Sequence, residues 1–428
     1  MAAHLFRRAG FAANIDQLDQ AVEQEPADVV KRLVIGPSES KEAERESAEF
    51  AQAILASGDP KQLSAWWVYT LFRTEYPLQE KMTLFWHGHF ATSAEKVQDA
   101  NAMYSQNQML RRFALGDFSA MAHEISRDPA MLIYLDSVTN RKAHPNENFA
   151  RELMELFCLG EGHYSERDVQ ELARCFTGWE IRHGRFRFNR YQHDSGDKSI
   201  FGKTDRFPDG SAIDLVLQRP AAPRFIAGKL VRYLVFDEPV ASRALIDPLA
   251  QQLREQAWDI GAVVDRILAS NLFFSDHAVG RKVRSPVDLT IGLLRSLGGS
   301  TNAQRLAGEL VFLGQGLFYP PNVKGWDGGR AWINASMLLG RANVVGRLLR
   351  DKTTRYGRGD LESYFRNMGI RSAADVVHAL CELMLAVPLP KDARERLTAL
   401  AEHGGGNPSQ RIAKTIHALA TLPEFQLG

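Results

Sequence analysis

The chain has 428 residues, of which 45% are hydrophobic and 24% are charged, and its formal net charge is +1. This composition excludes a disordered or fibrous chain and predicts a soluble protein with a substantial core. The near-neutral charge balance gives no field that would attract nucleic acid or an anionic membrane, so we expect no nucleic-acid partner.

Neither a membrane span nor a leader is predicted. No stretch approaches the apolar length of a transmembrane helix, and the opening MAAHLFRRAG lacks the apolar core of a signal peptide. The sequence as written therefore predicts a cytoplasmic protein. The three cysteines, Cys158, Cys175 and Cys381, show no metal-ligand spacing and are predicted to be buried thiols.

Amphipathic spacing predicts helices through most of the chain. In the first part they cover 40–57, 60–74, a segment that starts at Pro77, 95–115, 117–127, 129–138, 146–160 and a helix that Ser165 opens. The segment 182–206 alternates Arg with Phe and is rich in turn residues, which predicts a short β excursion with GRFRFN as a strand and HDSGDK as a loop.

The second part is again predicted to be helical, over 221–235, 239–255, 258–270, 285–298, 301–315, 330–350, 372–386, 391–402 and 408–420. Two prolines and three glycines make 318–329 an irregular loop. The predicted fold class is mainly α, a single large multi-helical domain with one β excursion at about 182–206. Residues 1–350 would form its core and residues 351–428 a C-terminal helical subdomain packed on that core.

The segment 146–160 carries one polar face. At 100° per residue, Glu147, Asn148, Arg151, Glu152 and Glu155 fall within one arc of a helix, and Arg151 can bridge Glu147 or Glu155. Such an arc is usually solvated. Because it contains no Lys, we instead expect a buried network or a carboxylate site, in which Arg151→Ala would cost roughly 3–5 kcal/mol.

Three other segments hold residues that could carry chemistry. WHGHF contains His87 and His89, which could share a metal on a strand or a frayed end but not on a helix, where they point about 200° apart. QHDSGDK brings His193, Asp194 and Lys198 into one loop, where a His–Asp pair binds metal or transfers protons, although surface turns have the same composition. PPNVKGWDGGRAWINAS sets Trp326, Arg330 and Asn334 around glycines, as a platform for sugar or polymer or as a cover for the core edge.

These segments together resemble a known bacterial family, catalogued as domain of unknown function 1800. The resemblance rests on HLFRRAGFAA, LQEKMTLFWHGHFATS, the stretch from SRDPAMLIYLD to ARCFTGW, HDSGDKSIFG, PAAPRFIAGKLVRYLV, PPNVKGWDGGRAWINAS and PEFQ, and it covers nearly the whole chain. It implies that export to the periplasm is an alternative to the cytoplasm. It also implies a neighbouring protein that resembles alkaline phosphatases as a partner, but no role for any residue.

The residues lead to one preferred function and two alternatives. The preferred function is an enzyme, a hydrolase of a glycan or other polymer, with catalytic Glu147, Arg151, Glu152, Glu155 and Lys198. A divalent transition metal would be held by His87, His89, His193 and Asp194, and substrate by Asn148, Trp326, Arg330 and Asn334. The alternatives are an iron- or haem-dependent oxidoreductase and a non-catalytic binding or assembly protein.

Overall fold

Helices fill the first part of the chain, as the spacing predicts. The computed structural model describes residues 1–37, 41–357 and 359–428, so Ser40 of the predicted helix 40–57 lies outside the described residues. The helices are α1 (Ala2–Gly10), α2 (Ile15–Val22), α3 (Pro26–Ile35), α4 (Lys41–Ser57), α5 (Leu63–Arg73), α6 (Pro77–His89), α7 (Ala94–Val97), α8 (Ala100–Arg112), α9 (Phe118–Ser126), α10 (Pro129–Tyr134), α11 (Asn148–Glu152) and α12 (Glu166–Cys175).

Two differences from the predicted helices have local causes. The predicted helix 95–115 is divided into α7 and α8 because Gln98 adopts a left-handed conformation, with a φ of 52°. The predicted helix 146–160 is α-helical only over α11 and continues as one π-helical turn, Leu153–Cys158. Helices α1, α2 and α3 were not predicted.

The β excursion is confirmed. Strand β1 (Trp179–Arg182) pairs antiparallel with β2 (Arg185–Phe188), and β3 (Lys198–Ile200) pairs antiparallel with β4 (Lys203–Asp205). A third antiparallel pair joins β5 (Gly299–Ser300) to β6 (Arg355–Tyr356). The described strands thus form only two-stranded pairs, and the fold class is mainly α.

The rest of the chain is again helical. Its helices are α13 (Ser211–Leu217), α14 (Ala221–Leu234), α15 (Arg243–Glu255), α16 (Ile260–Leu268), α17 (Pro286–Ser296), α18 (Ala303–Phe312), α19 (Ala335–Arg350), α20 (Leu361–Asn367), α21 (Ala373–Met384), α22 (Lys391–His403) and α23 (Pro408–Ala420). Helix α19 begins later than the predicted residue 330, because Asn334 caps it by accepting a hydrogen bond of 2.9 Å from the Met337 amide. Helices α13 and α20 were not predicted. No helix in the described ranges is long and apolar enough to cross a membrane.

Three clusters of buried apolar side chains hold these helices together. The largest includes Trp86, Phe157 and Leu230, from α6, the π turn and α14, so these elements share one core. The third joins Leu289 of α17 to Phe365 of α20 and to other side chains of the C-terminal helices. The division into 1–350 and 351–428 stays a prediction, and Arg358 in the boundary segment lies outside the described residues.

A buried carboxylate ties together α5, α6 and α8. Glu80 is 2% exposed and accepts hydrogen bonds from Trp67 Nε1 at 2.8 Å and from Arg111 Nε and Nη2 at 2.5 and 3.0 Å. Arg111 is itself largely buried, with 14% of its side chain exposed. A carboxylate in this position is stabilising only while both of its partners are present.

We expect Glu80→Ala to destabilise the protein by roughly 3–5 kcal/mol, because the Arg111 cation and the Trp67 indole would lose a buried acceptor. Glu124→Ala is the matched control. Glu124 pairs with Arg112 at 3.7 Å with 58% of its side chain exposed, so its loss should cost less than about 1 kcal/mol. Denaturant unfolding of both variants measures the difference, and equal losses would contradict this role of Glu80.

Candidate functional site

The end of α6 and the loop 318–334 meet backbone to backbone. A Cβ atom on Gly325 would lie 2.1 Å from the carbonyl oxygen of Gly88, and Gly325 has a φ of +77°. Trp326 then lies over Gly88, with its ring 3.6 Å from where a Cβ on Gly88 would be. The two glycines therefore let the loop cover the C-terminal end of α6, where both histidines of WHGHF lie.

The π turn ends at this place and leaves carbonyl groups without helical partners. Its last two backbone hydrogen bonds share one acceptor, the carbonyl oxygen of Met154, which accepts from Leu159 N at 2.9 Å and from Gly160 N at 3.2 Å. The carbonyls of Leu156 and Phe157 belong to the last turn of the helix and need partners from elsewhere. Lys229 Nζ donates to Leu156 O at 3.1 Å, and His89 Nε2 donates to Phe157 O at 3.0 Å.

His89 also accepts a hydrogen bond from Lys229. Because a carbonyl oxygen can only accept, the His89 proton lies on Nε2, and Nδ1 is the acceptor for Lys229 Nζ at 3.1 Å. Burial and the nearby Lys229 cation hold the pKa of His89 well below its usual value. His89 is therefore a neutral imidazole that orients the lysine.

Lys229 has no carboxylate partner among the described residues. Both of its polar contacts are with neutral acceptors, and its Nζ lies 4.7 Å from the centre of the Phe225 ring. Burial and the neighbouring Arg232 lower the pKa of Lys229 from 10.5 to about 8. With two of its N–H bonds taken, one position of the nitrogen remains for a ligand.

Lys229 lies between two adjoining cavities. The central cavity, about 540 Å³, is bounded by the end of α6, the π turn, α14 and the loop 318–334. The outer groove, about 900 Å³, runs along α14 to the start of α15. The two share Gly160, Phe225, Lys229, Arg232 and Asp237 in their walls, so a ligand in either one meets Lys229.

The outer groove is lined by more cationic than anionic side chains. Its own carboxylates are all paired, Asp237 with Lys282, Glu238 with Arg330 and Asp247 with Arg224. No ion pair is found, among the described residues, for four of the groove's cations, which are Arg219, Lys229, Arg232 and Arg243. The groove therefore suits a ligand with negative charge.

One of the predicted carboxylates reaches the central cavity. Glu155 lies in its wall and accepts a hydrogen bond of 2.8 Å from the Tyr164 hydroxyl. Glu152 lies nearby, and burial together with the Glu155 carboxylate raises the pKa of Glu152 above its usual value. Glu155 thus shares the cavity wall with His89 and Lys229.

The buried network expected around Arg151 is not observed. Arg151 has 33% of its side chain exposed and pairs with Glu147 at 2.9 Å and with Glu166, which is 61% exposed. Asn148 is exposed, and its amide donates to the Asn146 side chain. The prediction failed because helical spacing does not show which neighbour covers a face, and here α12 supplies Glu166 at the surface.

The loop 192–198 contributes no residue to the central cavity as described. His193 Nδ1 donates to Thr177 O at 2.8 Å, and Asp194 accepts from Arg174 Nε at 2.7 Å, which lowers the pKa of Asp194. Lys198 is 1% exposed and donates to the carbonyls of Asp194 and Arg206. These contacts hold the loop against the C-terminal end of α12 and beside β3. Of the segments predicted to carry chemistry, 86–90 and 146–160 therefore reach this cavity and 192–198 does not.

The metal site predicted from His87, His89, His193 and Asp194 is not supported. His87 and His89 lie on the helix α6, where they point apart, and the imidazole of His87 packs 5.2 Å from Trp67 and accepts from Phe318 N at 3.2 Å. Burial lowers the pKa of His87 to about 3. In the part of the chain that the structure describes, no group of three or more His, Cys, Asp or Glu side chains could hold a metal ion.

The three residues of the loop 318–334 that were predicted to bind substrate lie in three different environments. Trp326 lies in the wall of the central cavity, where it also contacts His87 with 5.7 Å between ring centroids. Arg330 is 83% exposed and pairs with Glu238 at 2.7 Å, and Asn334 is the cap of α19. Only Trp326 of these three is placed to touch a ligand in the cavity.

Lys229 and Arg232 were missed although their motif, PAAPRFIAGKLVRYLV, is part of the family resemblance. Phe225, Lys229 and Arg232 are spaced four and three apart and therefore share one face of α14. The available signal was a lysine on a helix in which no acidic residue stands three or four positions away. Such a lysine has no local partner, so it depends on the tertiary structure for one.

The chain belongs to the family described as "Protein of unknown function (DUF1800)", whose sequence profile matches residues 4–427. No curated protein and no solved structure matches the chain.

We expect Gly325→Ala to destabilise the protein by at least about 2 kcal/mol more than Gly202→Ala. Both glycines have nearly the same φ, +77° and +78°, but a Cβ on Gly202 would meet no atom within 4 Å. The Gly202→Ala control should therefore lose only the free energy of placing an alanine in this backbone conformation, about 1–2 kcal/mol. Urea unfolding of both variants measures the difference, and equal losses would show that the loop does not press on Gly88.

We expect Arg151→Ala to cost at most about 1 kcal/mol, the range of exposed ion pairs. The measurement is denaturant unfolding beside Glu80→Ala, which removes a buried partner. A loss of 3 kcal/mol or more would restore the buried network.

Proposed function

We propose that the protein is an enzyme, a hydrolase of an anionic glycan or a similar anionic polymer, with Lys229 and Glu155 as its proton-transfer groups. The observation that carries the proposal is the Lys229 amine. It lies between two cavities, has no carboxylate partner among the described residues, and has a pKa of about 8. A group in a cleft whose pKa is strongly shifted is a candidate catalytic group. Burying such a group destabilises the fold, and a lysine with a purely structural role would not require it.

Lys229 would act as the general acid. With a pKa of about 8 it is still protonated in about nine of ten molecules at pH 7, yet it releases its proton far more readily than an ordinary lysine. The hydrogen bonds to His89 and Leu156 O hold the amine in place. The remaining N–H would be donated to the leaving-group oxygen as its bond to the substrate breaks.

Glu155 would act as the general base. Its carboxylate lies in the same cavity and is oriented by the Tyr164 hydroxyl at 2.8 Å. It would take a proton from the attacking water, while the water oxygen forms the new bond. The proton taken by Glu155 and the proton lost by Lys229 are exchanged with solvent at the end of the cycle, so one water is consumed for each bond broken.

The charge and shape of the outer groove support an anionic and extended substrate. Arg219, Arg232 and Arg243 of the groove form no ion pair within the described ranges, and they would bind carboxylate or sulfate groups. Trp326 in the central cavity supplies an aromatic surface for a sugar ring. The groove, at about 900 Å³, has room for more than one sugar unit beyond the central cavity.

The test is a screen of uronate-containing and sulfated polysaccharides, with neutral polysaccharides for comparison, in a reducing-end assay. We expect turnover only with the anionic set. Lys229→Met and Glu155→Gln should each lower kcat about 100-fold or more. Lys142→Met is the matched control, because Lys142 is exposed and lies in neither cavity wall, and it should leave kcat unchanged.

The pH dependence tests the role of Lys229 separately. A general acid must be protonated, so kcat should fall as the pH rises through about 8, the pKa of Lys229. A wild-type enzyme that keeps its full kcat at pH 9, or a Lys229→Met protein with the wild-type rate, would contradict the mechanism. Tight binding of an anionic polymer without turnover would instead identify the protein as a binding protein.

A further inference from the structure

Four arginine side chains are buried close to the inner wall of the central cavity. Arg7 and Arg8 extend from α1, Arg284 precedes α17, and Arg341 lies on α19, with residue exposures of 8%, 3%, 7% and 1%. Even with pKa values lowered to about 10, 9, 9 and 10 by burial, all four are charged at neutral pH. Four guanidinium groups in one region of the interior need negative charge nearby.

All hydrogen bonds found for these four guanidinium groups are to neutral oxygens. Arg8 Nη2 donates to the carbonyls of Val235 at 2.9 Å and Ala278 at 2.6 Å, and Arg7 Nη1 donates to Leu383 O at 3.4 Å. Arg284 donates to the carbonyls of Leu427 and Met384, and Arg341 donates to Gln426 Oε1 and Arg284 O. Neutral acceptors satisfy individual N–H groups but leave the net charge in place.

The carboxylates of this region are already used by lysines. Asp237 pairs with Lys282 at 2.7 Å, and Asp288 pairs with Lys81. Glu382, which raises the pKa of Arg7 through its charge, is exposed and forms no ion pair with it in the described structure. Counted over side chains alone, the four arginines and two lysines exceed the two buried aspartates by four positive charges.

A small cavity lies among these groups. It measures about 20 Å³, enough for one particle of the size of water, and its wall includes Arg7, Arg8, Lys81, Lys282, Arg284 and Asp288. Gly428 also contacts it. Arg8 Nε and Nη1 and Arg7 Nε are buried and have no hydrogen-bond partner among the residues that the structure describes. Several N–H donors on the cavity wall are therefore available to one small acceptor.

We propose that this cavity binds one monovalent anion of halide size, with chloride as the ordinary ligand. A water molecule would satisfy the free N–H donors, but it would leave the positive charge of the region unchanged. An anion satisfies the same donors with charge-assisted hydrogen bonds and also lowers the net charge. The site differs from the proposed active site, because it lies behind the wall formed by Lys81, Lys282 and Asp288.

Thermal unfolding of the full protein tests the site. The ionic strength is kept constant while chloride replaces gluconate, because the gluconate anion is too large for the cavity. An anion that binds only the folded state should raise the midpoint by about 1.5 °C for each tenfold increase in chloride above its Kd, from the unfolding entropy expected for 428 residues. Arg8→Met should abolish this dependence. The control Arg32→Met, at an exposed arginine on α3, should keep it.

Crystals grown in bromide give a second measurement, which does not depend on the folding of the Arg8→Met protein. We expect an anomalous peak within hydrogen-bond distance of Arg8. Equal midpoints in chloride and gluconate, together with no bromide peak in the cavity, would overturn the proposal and assign the space to water. Neither result bears on polysaccharide turnover, so the two proposals fail separately.

Discussion

The hydrogen bonds that join Lys229 and His89 to the end of the π turn determine the geometry of the candidate site. Leu156 O and Phe157 O are free because the helix ends there, and a lysine and an imidazole from two other helices fill these positions. Each partner is costly to bury alone. Together with the two carbonyls they form a satisfied network, which keeps the amine in the wall of the cavity rather than in solvent.

Buried cations in this structure have three different kinds of partner. Arg111 has a full carboxylate partner in Glu80, Lys229 has only neutral acceptors and a lowered pKa, and Arg8 has neutral acceptors with some N–H donors left unpartnered. The first arrangement neutralises the cation, although Arg111 Nη1 finds no hydrogen-bond partner among the described residues. The second and third leave a positive charge without a carboxylate in direct contact, which favours binding of an anion that the chain does not itself supply.

The glycines of WHGHF and VKGWD explain why these two distant segments belong to one site. Gly325 approaches the Gly88 carbonyl so closely that no side chain fits between them, and the contact brings Trp326 over the end of α6. His87 is enclosed by this contact and by Trp67, so it serves the packing of the loop. His89, two residues later, faces the opposite side of the helix and reaches the cavity.

The sequence by itself determined the mainly helical class, the β excursion and the irregular loop 318–334, because periodicity, turn residues and prolines act over a few neighbouring positions. It also indicated Glu155, His89 and Trp326 as chemically capable. It could not decide which polar face is covered. Arg151 was predicted to be buried but lies at the surface, where α12 brings Glu166 to it. Lys229 was not singled out from the sequence, yet its amine contacts α6 and the π turn in the wall of the central cavity. Burial and partner choice depend on contacts between residues far apart in the chain, such as the 140 positions between His89 and Lys229, and only the tertiary structure decides them.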